Sequence, residues 1–228
     1  MQINKLLTTV NYKKGNGKQN KYIVIHYVGA TGGAEANCKY FQSVYRGASA
    51  NYFVGHSGEI WQCVEDKDIA WHCGASRYKH PYCRNSNSIG IEMCCKKNLS
   101  NSTWYFTEDT INSTIELVKD LMKKYNIPAA NVIRHYDVTG KVCPEPYVRD
   151  SAAWNTFKAS LTATTAASGY LVKVTADILN VRMGPGVGYK ITTQIKKGGV
   201  YTIVQEQNGW GKLRNGAGWI KLSYTERV

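Results

Sequence analysis

Residues 161–169 read Leu-Thr-Ala-Thr-Thr-Ala-Ala-Ser-Gly, a stretch dominated by small residues, with neither charge nor aromatic ring. Such a stretch supplies no core of its own, and its composition is that of a linker. The character of the sequence changes across it. The expected organisation is a larger domain over 1–160, a linker over 161–169 and a small domain over 170–228.

After the linker, short strand-like runs begin at Tyr170, Ile178, Val200, Trp210 and Gly218, separated by Gly184-Pro185-Gly186, Asn208-Gly209 and Asn215-Gly216. Short strands punctuated by turns predict a small, closed all-β barrel. Before the linker, strands and helices alternate. Residues 22–26 and 89–94 have strand composition, and 51–64 predict a hairpin turning at Ser57-Gly58. Residues 34–46 predict a helix ending at Gly47, and residues 107–125 a longer one. There Thr107 is the cap, and Ile111, Ile115, Val118, Leu121, Met122 and Tyr125 form the apolar stripe. A last short helix is expected from Asp150 or Ser151, packing Trp154 and Phe157. The reading is an α/β domain with a mixed central sheet flanked by helices, plus a small all-β barrel.

The formal net charge of +13 favours an anionic partner, whether nucleic acid, an acidic membrane or a wall polymer. No basic run or nucleic-acid motif accompanies it, so a generally basic surface is the plainer alternative. No window approaches the roughly 20 apolar residues of a membrane span, and the first 21 residues lack a signal-peptide core. The expectation is a chain made in the cytoplasm without a signal peptide. The seven cysteines are odd in number, and Cys94 and Cys95 are adjacent. Reduced thiols buried as small hydrophobes are therefore expected, except at Cys143.

Two segments carry chemistry. Tyr22-Ile23-Val24-Ile25-His26 delivers a histidine at the end of a buried strand. The stretch 135–144, a turn-rich loop after Val132-Ile133, offers His135, Lys141 and Cys143. A structural zinc site closes with four protein ligands, whereas a catalytic one holds three and leaves a position open. His26, His135 and Cys143 make such a set, with Lys141 beside it to stabilise an oxyanion. Taken alone, His26 reads rather as a core histidine bonded to backbone. Asp137 is a rival ligand, or an acceptor for a ligand's ring N–H. Glu92 lies on the strand face opposite Ile89, Ile91 and Met93, where a carboxylate needs either solvent or an answering charge. His72, Cys73, His80 and Cys83 form a second possible zinc cluster, but their spacing matches no CxxC pattern. His72 fits better as a wall of a groove.

His26, the segment Ala48-Ser49-Ala50-Asn51-Tyr52-Phe53-Val54, Asp68-Ile69-Ala70-Trp71-His72, Asn87-Ser88-Ile89-Gly90-Ile91-Glu92 and the stretch 135–144 occur in that order. Together they resemble type 2 N-acetylmuramoyl-L-alanine amidases, which share a fold with peptidoglycan-recognition proteins. The resemblance covers about residues 21–161. It implies Zn2+ on His26, His135 and Cys143, with Glu92 and Lys141 as the catalytic pair and Asn51, Trp71 and His72 as substrate contacts. Some relatives place a tyrosine where this chain has Ala50, which leaves Glu92 as the better base. The tail, with Leu179 to Gly186 and Gly216-Ala217-Gly218-Trp219-Ile220, resembles bacterial SH3-type domains that tether wall hydrolases.

The combination implies a phage or prophage endolysin of a Gram-positive host. It would cleave peptidoglycan between N-acetylmuramic acid and L-alanine and contact anionic wall polymers, with no nucleic-acid partner. A bacterial autolysin with the same chemistry, a non-catalytic wall receptor and a thiol peptidase using Cys143 are the alternatives.

Overall fold

The computed structural model describes residues 2–15, 20–162 and 169–228. The chain divides into two compact units, Met1–Thr162 and Ala163–Val228. Most of the stretch expected as a linker, residues 163–168, lies outside the described residues.

A six-stranded mixed sheet organises the first unit. Its strands are β1 (Ile3–Lys5), β2 (Tyr22–Tyr27), β3 (Tyr52–Val54), β4 (Ile60–Gln62), β5 (Ser88–Met93) and β6 (Val132–Arg134), in the order β1-β4-β3-β5-β2-β6. All neighbours are parallel except β3 and β4, the expected hairpin, whose turn uses Gly58 at φ +82°. The helices are α1 (Ala34–Gln42), α2 (Glu108–Tyr125), α3 (His135–Thr139), α4 (Glu145–Arg149) and α5 (Ser151–Thr162).

Strand alternation sorts the central side chains into two sets. Ile23, Ile25, Ile89, Ile91 and Met93 join Leu117, Val118 and Leu121 of α2 and Trp154, Phe157 and Leu161 of α5 in the main core. Full burial of one such side chain contributes roughly 1.5–3 kcal/mol, so this face anchors the unit. The alternate positions, Val24, His26, Gly90 and Glu92, belong to the opposite face. There α1 packs around Phe53, and loop residues Cys73 and Cys83 join Val24 and Val138. The functional side chains thus leave the sheet on the face away from its largest core.

Several elements differ from the sequence expectation. Helix α1 stops at Gln42 instead of running to residue 46. Thr8 and Asn11 take the carbonyls of Phe41, Gln42 and Val44, so side chains from a distant segment cap it early. Helix α2 is capped by Thr107 as expected, but its most buried line includes Thr110 and Thr114. Their hydroxyls bond to the carbonyls of Gly55 and Thr110, which satisfies them inside the core. The stretch after Arg134 is helical in α3, so His135 and Asp137 do not share an extended face.

The second unit is a seven-stranded antiparallel sheet. Its strands are Tyr170–Val174, Ile178–Arg182, Ile191–Lys196, Val200–Gln207, Trp210–Leu213, Trp219–Lys221 and Thr225–Arg227. Val172, Val174, Leu179, Val181, Ile203, Leu213 and Ile220 converge in one core. Asn208 and Gly209, both at positive φ, make the tight turn that their residue types require. Two strands were not evident from sequence. Ile191–Lys196 is an almost wholly exposed edge, and Thr225–Arg227 is polar. Neither shows apolar alternation. Among the described residues, no helix is long and apolar enough to cross a membrane.

Candidate metal centre

β2 and β6 are parallel neighbours, with Ile25 opposite Arg134, so His26 at the end of β2 lies close to His135 at the start of α3. Their rings meet edge-on, with centroids 4.7 Å apart. The chain then turns after Gly140, an αL helix cap at φ +85°, and returns Cys143 to the same place. The return is fixed by Tyr136 N–H donating to the Cys143 carbonyl at 2.8 Å. Cys143 Sγ lies 3.7 Å from His26 Nδ1. His26, His135 and Cys143 are buried, and one ligand atom from each lies within 4.8 Å of the others.

The electrostatics of this cluster suit a soft dication. Burial, with smaller contributions from His72, His135 and Lys141, holds His26 well below the usual imidazole range. Burial and Lys141 lower His135 to about 4. Both rings are therefore neutral at pH 7, the form that ligates. Nδ1 of His135 is buried and has no hydrogen-bond partner among the described residues. Buried polar atoms are nearly always partnered, and an imidazole nitrogen beside a thiol is one that a cation would satisfy. Burial, then the Glu92 carboxyl, push the Cys143 thiol up to about 12. Two imidazoles and a sulfur form a zinc donor set.

Glu92 enters the site from β5. It is the register partner of His26, and its Oε2 is buried without a partner among the described residues. Burial raises its carboxyl to about 8, with Lys141 acting in the opposite sense. Lys141, on the exposed turn before Cys143, lines a groove of about 820 Å³ together with Trp71, His72, Arg77 and His135.

His72 lines that groove but is itself bonded on both ring nitrogens. Its Nδ1 lies 3.0 Å from His26 Nε2, and its Nε2 lies 3.1 Å from Ser88 Oγ. Asn51 is placed otherwise than expected. It is buried, its Oδ1 accepts from Gly90 N–H at 2.9 Å and its Nδ2 faces the carbonyls of Val64 and Glu65. Its amide is spent on backbone groups, so it braces strands. Asp137 is no ligand either. Burial alone would raise its carboxyl, but the bonds from Arg134 outweigh this and hold it low. Both its oxygens accept from the Arg134 guanidinium, at 2.8 and 3.0 Å.

The rival cluster dissolves. Cys73 and Cys83 are buried with Val24 and Val138, while His80 Nδ1 accepts from Cys83 N–H. Among the described residues, only His26, His135 and Cys143 group as a metal site. Sequence reasoning missed Ser88, Asn85 and Gly90. The one available signal was a glycine within a β-branched strand, which marks a close approach.

Comparisons agree with this architecture. Residues 16–146 match the N-acetylmuramoyl-L-alanine amidase family model, and residues 177–226 the bacterial SH3 domain model. A probable N-acetylmuramoyl-L-alanine amidase of Bacillus licheniformis is 36% identical over 149 residues, 60% of this chain and 40% of that protein. The amidase CwlL of the same organism is 33% identical over 150 residues, 60% of this chain and 39% of that protein. The chain thus spans about two-fifths of the length of these relatives. Among solved structures, the catalytic domain of XlyA superposes with a TM-score of 0.57 at 27% identity, covering 71% of this chain and 99% of that one. XlyA is an amidase of Bacillus subtilis strain 168. PlyL superposes with a TM-score of 0.60 at 26% identity, covering 72% of this chain and 98% of that one. With the family match spanning more than half its length, and with His26, His135 and Cys143 gathered into one buried cluster, the chain belongs to the N-acetylmuramoyl-L-alanine amidase family.

Proposed function

We propose that this chain is a zinc-dependent peptidoglycan amidase with an endolysin-like role. It would cleave the amide between N-acetylmuramic acid and the L-alanine of the stem peptide. The observation that carries the reading is the convergence of His26, His135 and Cys143 beside Glu92 at a groove. His26, His135 and Cys143 would hold the zinc. Bound there, zinc supplies Lewis acidity, lowering the pKa of water and polarising a carbonyl.

The chain's own residues do the rest. The Glu92 carboxylate takes the proton of the attacking water and returns it to the leaving amine of L-alanine. Burial raises its proton affinity, the property a general base needs to take a proton from water. The Lys141 ammonium, on the groove wall, stabilises the negative charge that develops on the scissile oxygen. Trp71 offers an aromatic wall to sugar or peptide.

A non-catalytic receptor needs neither a buried thiol at the histidine pair nor an unpartnered carboxyl beside it, and both are present. The seven-stranded unit, through its match to the bacterial SH3 model, would hold the enzyme on the wall. The net charge of +13 would add a salt-dependent attraction to anionic wall polymers. Mass spectrometry of digested wall tests the reaction. Intact stem peptides with a new L-alanine N-terminus support it, while cleavage within the peptide or glycan overturns it. Chelation should abolish turnover, whereas a thiol peptidase would survive it.

A further inference from the structure

A chain of hydrogen bonds runs away from the metal cluster. His26 turns Nδ1 toward Cys143 Sγ, so Nδ1 is the nitrogen that would ligate and Nε2 the one that would carry the ring proton. That nitrogen lies 3.0 Å from His72 Nδ1, which must then accept. A neutral imidazole that accepts at Nδ1 carries its own proton at Nε2. His72 Nε2 donates to Ser88 Oγ at 3.1 Å, and the Ser88 hydroxyl donates to the Arg84 carbonyl at 2.7 Å. A carbonyl has no proton to give back. The series can therefore run in one direction only, and each tautomer follows from the next.

His72 is itself held in place. Asn85 Oδ1 accepts from the backbone N–H groups of His72 and Cys73 at 3.2 and 2.8 Å. Its ring lies over Gly90 of β5, where an added Cβ would stand 2.4 Å from His72 Cγ. Any side chain there would displace the ring. Ser88, Gly90 and Glu92 share one face of the strand. That face thus supplies the ring's hydroxyl acceptor, the bare backbone under it and the candidate base.

We propose that His72 is a positioning residue, whose Nδ1 fixes His26 in the Nε2–H tautomer and so aims the Nδ1 lone pair at the metal position. Ser88 and the Arg84 carbonyl fix His72 in turn. The inference rests on the metal-centre reading, which the test separates from it. An outer acceptor of this kind, when removed, typically costs 10–100-fold in metal affinity.

The test uses the full chain and three variants: His72→Ala, which removes the acceptor, His72→Asn, whose Oδ1 can replace Nδ1, and Ser88→Ala, which removes one hydroxyl. Imidazole 15N NMR of the metal-free wild type should show His26 as a single Nε2–H tautomer. Competition with a chromogenic chelator should show zinc affinity falling 10–100-fold in His72→Ala, falling less in Ser88→Ala and recovering to within a few-fold in His72→Asn. The visible spectrum of the cobalt(II) form should change in His72→Ala and return in His72→Asn. Wild-type affinity and an unchanged cobalt spectrum in His72→Ala overturn the proposal, as does a mixed His26 tautomer in the wild type. Should His72→Ala not fold, an unaltered affinity in Ser88→Ala together with a mixed His26 tautomer there overturns the ordered chain. A wild type that binds no zinc instead defeats the metal-centre reading, while the tautomer measurement still decides the role of His72.

Discussion

His26 and Glu92 are register partners on adjacent parallel strands, so an imidazole and a carboxyl leave the same face of the sheet side by side. A strand pair is a stiff mount, and its spacing of about 4.8 Å keeps the two groups neighbours. The juxtaposition of the proposed ligand and the proposed base is therefore a consequence of sheet register and not of loop conformation. Glu92→Gln keeps the side chain's shape but cannot accept a proton. Zinc content should stay at one ion per chain while turnover of soluble muropeptide falls about 10²–10⁴-fold. Near-normal turnover in zinc-loaded Glu92→Gln would assign the base elsewhere.

The same carboxyl gives a pH signature without any substrate. Burial raises it to about 8, whereas an unfolded chain titrates it near ~4.3. Between those values the native state holds a proton that the unfolded state has lost. Stability of the metal-free protein should therefore decline as pH rises through this window and level off above it, by a few kcal/mol in total. Glu92→Gln lacks the slope, so denaturant midpoints of variant and wild type should diverge from about pH 4 to 8. Parallel curves would mean that the carboxyl is solvated.

Lys141 stands on the exposed turn that leads to Cys143, so removing its ammonium leaves the ligand set intact. Lys141→Ala should lower kcat about 10²–10³-fold with KM nearly unchanged, the pattern of a group that acts on charge developing in the transition state. A rise in KM alone would make it a substrate contact.

Arg134 and Asp137 lock the start of α3, the helix that presents His135. The folded Asp137 carboxyl is held below its ordinary value, so its contribution is complete above the unfolded pKa and lost as pH falls through the lower folded one. Asp137→Asn should cost about 1.5–3 kcal/mol at pH 7, and the gap should narrow only as pH falls below the ordinary aspartate range, through the lowered folded value. A constant gap in thermal melts across that range would assign the loss to packing.

Legibility in the sequence followed physical range. β2 was visible as an apolar run that ends in His26, and β5 because Ile89, Ile91 and Met93 alternate with Glu92, which could be assigned to the opposite face before any coordinates. The cap of α2 was visible because Thr107 and the following acidic pair act locally. Helix α3 was not, since its five residues carry too little periodicity to distinguish it from a turn. The end of α1 was hidden for another reason, being set by Thr8 and Asn11, some thirty residues away in sequence. Asn51 shows the same limit. A polar residue beside a motif looks like a substrate contact until its amide is seen bonded to Gly90, Val64 and Glu65.

The two units have separate cores, which gives the tail a testable role. Ile23 through Leu161 supply one cluster, and Val172 through Ile220 the other, with no residue shared. A chain ending at Thr162 should therefore fold with the thermal stability of its own core. It should hydrolyse soluble muropeptide at the full-length rate, because the proposed metal ligands, Glu92 and Lys141 all lie before that point. On intact walls it should be slower, since a tether raises the local concentration of enzyme on an insoluble polymer and does nothing for a small diffusing substrate. Raising the salt should reduce wall binding of both forms, because non-specific attraction of a basic protein is screened within about 10 Å at 0.1 M. The measurement compares both proteins on both substrates. Equal loss on walls and on muropeptide would show that the second unit supports the catalytic fold instead of holding it to the wall.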